Sequence, residues 1–368
     1  MALLTCGERT VRCLLGQPID HTPFGTSWGG WAPWDAALAR WRAESGDPDL
    51  DLQQYFGFEA DFAVPEANCW MQPCFEYQVL EETEEHIVIR DGSGITQRGR
   101  RNGMSMPQFL DYPVKTRADW ERIKEERLQP EDPSRITEEW SAFRARIQTT
   151  GEAVEVIGGS VFGNLRQLMG AEGALICFHT DPQLVHDIME HLTTLSLAVW
   201  EKAAAEVQID RLNIWEDMAG KQGSLISPRM VEEFMMPQYD RIAAFARKVG
   251  TRIISVDTDG DCRELVPIMM KHGVNLIFPF EVQAGNDIRQ YRQQYPALGI
   301  IGGLNKYALA KTKADIDREI AKAAWMVESG RYIPSFDHAI PPDVPWENFC
   351  YAAEEIKKIC YGTHDAKG

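Results

Sequence analysis

The chain is short of positive charge. Its 38 Lys and Arg stand against 55 Asp and Glu, a formal net charge of -17. Nucleic acid is excluded as the main partner, because phosphate binding needs a basic surface. A highly anionic substrate is disfavoured too, unless local basic residues offset the field. No apolar run approaches the roughly 20 residues of a membrane span. The opening residues 1–13 carry too short an apolar run and the wrong flanks for a secretory signal, so a cytoplasmic location is expected. Eight cysteines in 368 residues, with no Cys-x-x-Cys pair, read as reduced thiols rather than a disulfide framework. No Gly-x-Gly-x-x-Gly follows a strand, so a dinucleotide-binding fold has no support.

What remains is an ordinary globular balance, 44% hydrophobic and 25% charged, in a chain long enough for a sizeable core. From Glu152 onward, short β-branched runs alternate with amphipathic stretches at helical spacing. The runs are Val154–Gly159, Arg211–Trp215, Arg252–Asp257, Val274–Phe278, Leu298–Gly303 and Tyr332–Ser335. Strand–helix alternation implies a parallel sheet. About eight units fit over residues 1–368, which predicts a single α/β (β/α)8 TIM barrel. Residues 75–104 differ: two alternating runs flank Asp91-Gly92-Ser93-Gly94, predicting an antiparallel β insertion in the N-terminal half.

The predicted strands end in polar side chains: Glu216 and Asp217, Asp257 and Asp259, Glu281, Asn305 and Lys306, Asp337 and His338. Any one acid there is commonly a helix cap. Five strand ends in register are harder to explain by capping, and in a barrel they converge on the face that carries the active site. Asp257 and Asp259 project to one side, and His338 is a candidate third ligand for a divalent metal, zinc first among zinc, manganese and iron. A hydrogen-bonded polar network is the equal alternative. A second use is acid–base work, since clustered carboxylates repel and one is driven to hold its proton. Glu216, after the apolar strand ending in Trp215, is the leading candidate, with Asp217 and Asp257 beside it.

The loop Ser27–Trp34 sets tryptophans among glycines after the first strand. Trp28 and Trp31, with Trp70 from a later loop, are candidates to cover a flat apolar ligand, although one or more would serve equally as core. Arg166 follows Gly163 near a strand end, and is a candidate for a substrate carboxylate or for pairing with Glu216 or Asp217. Glu281 and Asn305 are further candidates for substrate contact.

Taken in order, several segments resemble the uroporphyrinogen decarboxylase superfamily, which includes corrinoid-dependent methyltransferases. They are Glu8-Arg9 to Leu15-Gly16 with Asp20-x-x-Pro23, Arg166–Gly170, Asp181-Pro182, Glu216–Gly220 to Ser227-Pro228, Gly302–Lys306, and Asp337–Pro342 to Asn348. The resemblance implies a (β/α)8 barrel. Decarboxylases of the family carry an arginine-rich loop after the first strand, and here that loop is Trp28-Gly29-Gly30-Trp31, without arginine. The methyltransferase branch carries zinc on His-x-Cys-Gly and a later cysteine. Asp257-Thr258-Asp259-Gly260 and His338 stand in those positions, an oxygen-rich set less suited to thiols. The implied function is methyl transfer between a small aromatic methoxy compound and a corrinoid. No Asp-x-His-x-x-Gly motif is present, so the corrinoid is expected on a partner protein. A decarboxylase or lyase acting on a small acid, and a barrel that binds a tetrapyrrole or small ligand without chemistry, are the alternatives. A homodimer is a candidate assembly.

Overall fold

The computed structural model describes residues 3–362, apart from 26–28, 61 and 102–105. Its centre is a curled parallel sheet of seven strands: β1 (Phe62–Ala63), β6 (Ala153–Gly159), β7 (Arg211–Trp215), β10 (Ile253–Thr258), β11 (Leu276–Pro279), β12 (Gly299–Ile301) and β13 (Tyr332–Ile333). Neighbours in this sheet keep their order in the sequence, with the other strands inserted between them, as repeated strand–helix crossovers produce. The strands are short and apolar because both their faces are covered. In β10 every residue is buried except the half-buried Asp257.

The described strands form a partly closed barrel. Before the loop 27–34, where a first strand is expected, Glu59 donates its N–H to the Phe24 carbonyl at 2.7 Å. Beyond β13, isolated parallel bridges join Leu304 to Phe336 and Pro33 to Ile340.

The antiparallel insertion is a four-stranded sheet, in the order β2 (Gln78–Glu82), β3 (His86–Arg90), β4 (Thr96–Arg100), β5 (Gln108–Asp111). It extends past the expected limit at 104. The extra strand, Gln-Phe-Leu-Asp, is too short to show alternation and is wholly exposed, so no buried face marks it. A small hairpin, β8 (Ala219–Gly220) with β9 (Gly223–Ser224), follows β7. Among the described residues no helix is long and apolar enough to cross a membrane.

The core is one large cluster around the helices Phe162–Thr180, Pro182–Ala204 and Met236–Val249. An aromatic cluster lies beside it. The entry motif is structural: the Arg9 guanidinium pairs with Asp20 and Glu59 and ties the first helix to the following loop. Arg9 holds the Asp20 carboxyl well below the usual carboxylate range.

Candidate active site

Parallel register places the functional side chains. Asp257 lies opposite Trp215 of β7 on one side and Phe278 of β11 on the other. The β-branched run that precedes it buries the strand, so the chain delivers Asp257 at the sheet's C-terminal rim. Beyond it the backbone is held tightly. Thr258 Oγ1 accepts the Met218 N–H at 3.1 Å, and Gly260 donates its N–H to Glu281 at 3.0 Å. Gly260 has φ +78°, and a Cβ there would lie 2.5 Å from the Ala219 carbonyl, so the turn requires glycine. Asp261 is a local anchor: it pairs with Arg263 and accepts its N–H, and Arg263 keeps its carboxyl low.

A cavity of about 350 Å³ opens at this rim, lined by Gly29, Trp215, Asp217, Asp257, Asp259, His338 and Ala339. That volume suits a small ligand. Among the described residues no hydrogen bond reaches the Asp257 carboxyl. Burial, with the charges of Asp259 and Asp217, pushes it up to about 8. Burial, with the charges of Glu281 and Asp217, pushes Asp259 up to about 7. Among the described residues the buried Oδ1 of Asp259 has no hydrogen-bond partner. Two carboxyls that repel each other in a half-dry site favour a state near neutral pH in which one of them is protonated.

The cations nearby are committed. Arg166 forms an ion pair with Asp217, and its Cζ lies 5.4 Å from the centre of the Trp215 ring. Lys306 Nζ lies 3.9 Å from Glu281. Asp337 is fully buried and accepts the N–H groups of Val282 at 2.8 Å and Lys306 at 3.0 Å, so it ties two strand-end loops together. Burial raises its pKa.

His338 Nδ1 accepts the Ala339 N–H at 2.8 Å. In the neutral ring the hydrogen therefore sits on Nε2, which lies 4.0 Å from Asp259 Oδ2. Burial and Lys306 lower the His338 pKa, favouring that neutral form. A metal ligand would need the Nε2 lone pair with the hydrogen on Nδ1, which conflicts with the Ala339 bond. Among the described residues no three His, Cys, Asp or Glu side chains come together to hold a metal. As placed, Asp257, Asp259 and His338 do not fit a divalent ion.

The cavity thus brings together Asp217, Asp257, Asp259 and His338, with Arg166 and Glu281 bonded just behind. Glu216 is elsewhere. It is 0% exposed and accepts the N–H groups of Val161, Phe162 and Gly163, the Ser160 hydroxyl and the Tyr239 hydroxyl. It anchors the N-terminus of the helix Phe162–Thr180, whose free N–H groups and dipole favour an acidic partner. Trp28 lies outside the described residues. Trp31 is 3% exposed, packs against Phe24, Phe58, Phe336 and Phe349, and donates its Nε1–H to Pro334 at 3.0 Å. Trp70 donates to Ser93 Oγ at 2.9 Å and pins the insertion's turn. Asn305 caps a short 3₁₀ turn by accepting the Tyr307 N–H. The sequence reading did not single out Trp215 as a cavity wall, although its register with Asp257 is the signal that marks it.

Residues 94–359 match the sequence family described as Uroporphyrinogen decarboxylase (URO-D). A methyltransferase from Methanosarcina mazei has a similar structure, with a TM-score of 0.56 at 14% identity, covering 96% of this chain and 99% of that one. At that identity the likeness speaks to fold alone. No curated protein matches the chain.

Proposed function

The chain belongs to the uroporphyrinogen decarboxylase family, and within it we propose an enzyme that moves a methyl group from a small, uncharged aromatic methoxy compound to a corrinoid on a partner protein. The observation that carries this reading is the pair Asp257 and Asp259 facing a small-ligand cavity, where burial and neighbouring negative charge raise both carboxyls.

Demethylating an ether breaks the methyl carbon–oxygen bond and leaves the electron pair on oxygen. A departing aromatic oxygen leaves far more readily when it is protonated as it goes. Asp257, whose carboxyl meets no hydrogen bond among the described residues and whose pKa is raised to about 8, is the lining acid best suited to hold that proton. Burial and the charge of Asp259 destabilise its carboxylate and so keep it protonated and available as a donor. Trp215 offers an apolar wall for the ring. The partner's corrinoid would supply the methyl acceptor. A cavity of about 350 Å³ suits the methoxy compound alone, so the acceptor stays with its carrier at the rim. The protein's own contribution is to orient the ether, exclude water and deliver the proton. The donor set does not fit a divalent ion, so the proton is supplied by a carboxyl.

Decarboxylation is the weaker reading. It needs a cation for the departing carboxylate, and Arg166 and Lys306 already face Asp217 and Glu281. Membership of the family also favours a fully closed barrel.

The test is incubation of the purified protein with 2-methoxyphenol and a reduced corrinoid, followed by mass spectrometry. The expected products are the catechol and a methylated corrinoid in equal amounts. Carbon dioxide release from matching aromatic acids, with no methyl transfer, would support the decarboxylase instead. Binding without turnover of either kind would contradict both and favour the non-catalytic barrel.

A further inference from the structure

Arg166 and Asp217 form an ion pair at the edge of the cavity, over the face of Trp215. Three observations make this more than a surface pair. First, both side chains are about three-quarters buried, at 24% and 26% exposure, and Asp217 itself lines the cavity. Second, Asp217 sits at φ +43°, in the left-handed region that non-glycine residues avoid. Its N–H still bonds the Asp257 carbonyl at 3.3 Å, so the strained backbone is fixed in place. Third, Arg166 is rigidly mounted. It lies one turn into the helix whose start Glu216 anchors through three backbone N–H groups.

A guanidinium carries five N–H donors in a planar fork that matches a carboxylate. Among the described residues Arg166 has one hydrogen-bond acceptor, Asp217 Oδ2. Left alone at the rim, it would be a ready receptor for an anionic ligand. Lys306, the other nearby cation, is buried beside Glu281. The rest of the titratable lining is Asp257, Asp259 and His338.

We infer that Asp217 is a charge filter: by occupying Arg166 it makes the cavity accept uncharged aromatic ethers and refuse their carboxylate-bearing counterparts. This rests on the proposed small-ligand role of the cavity, but it concerns selection rather than chemistry. Removing the charge of Asp217 frees the fork of Arg166, just behind the cavity wall, for a ligand carboxylate that reaches it. The specificity should then change sign. Asparagine suits the replacement, since it tolerates left-handed backbone better than most residues.

The test is calorimetric titration of wild type and variants at pH 7.5 with two probes of similar shape, 2-methoxyphenol and 2-methoxybenzoate. Methyl transfer is not read, so failure of the catalytic proposal would leave the result interpretable. Wild type is expected to prefer the phenol. Asp217→Asn is expected to bind the benzoate at least about tenfold more tightly than wild type does, as a charged hydrogen bond gained implies. Asp217→Glu, which keeps the charge, should retain the wild-type preference. The double variant Asp217→Asn with Arg166→Gln should lose the gain. An unchanged preference in a folded Asp217→Asn protein, verified by its thermal melt, would overturn the inference. So would a gain that survives loss of Arg166.

Discussion

Glu216 follows β7 and Asp257 lies near the C-terminal end of β10, its neighbour in the sheet, yet the two carboxyls are treated in opposite ways. Both are taken out of water, and burial pushes both pKa values up. Glu216 receives five donors, three from backbone and two from hydroxyls. Asp257 receives none among the described residues, and faces Asp259 and Asp217 instead. The supply of hydrogen bonds separates an acid that holds the fold together from one that is kept reactive. A buried polar group with partners contributes to a unique structure, whereas one without them costs stability and is retained for use.

The contrast is sharpest under truncation. Glu216→Ala should strip partners from three buried backbone N–H groups, at about 1–3 kcal/mol each. The expected loss is on the order of 5 kcal/mol, read by urea denaturation, and Glu216→Gln should cost less because its amide oxygen still accepts. A Glu216→Ala protein of unchanged stability would break the comparison. Asp257→Asn should do the reverse. Activity is expected to fall at least about a hundredfold, the usual worth of a general acid. Stability at pH 8 should hold or rise, because a costly buried charge is gone.

The pH dependence follows from the same difference. With Asp257 near 8 and Asp259 near 7 in the fold, the folded protein binds more protons than the unfolded chain between the ordinary carboxylate range and pH 8. Their contribution to stability is full below the unfolded value, about 4. It is lost as pH rises through 7 and 8. Urea midpoints measured from pH 5 to 9 should therefore show a downward slope in wild type that is shallower in Asp257→Asn. The smallest effect separates the tryptophans. Trp31→Phe should cost about 1 kcal/mol through its lost Pro334 bond, with ligand affinity unchanged. Trp215→Phe should weaken 2-methoxyphenol binding severalfold and leave stability nearly intact.

Much of this was legible before the structure. The parallel strands fall within a residue or two of their β-branched runs, because a doubly covered strand must be apolar throughout. Asp257, Asp259, Asp217 and His338 were readable as one group, since each follows a strand and parallel strands end on one side. The surroundings of Glu216 were not legible, for a physical reason. An acid after an apolar strand looks the same in sequence whether it faces a cavity or a helix terminus, and only the fold shows which donors reach it. Trp31 carried the same ambiguity, and its ring lies in the aromatic core. The His338 tautomer, which argues against metal ligation, depends on one bond to the next residue and leaves no trace in sequence.

The central claim is that Asp257 carries a proton at neutral pH. It is tested most directly by carbon NMR titration of the protein with its aspartate carboxyls labelled, compared with the same titration of Asp257→Asn. A carboxyl resonance titrating near pH 8 in wild type and missing from the variant is the predicted result. If every aspartate titrates below about pH 5, in the ordinary carboxylate range, Asp257 is an ionised group and cannot be the proton donor.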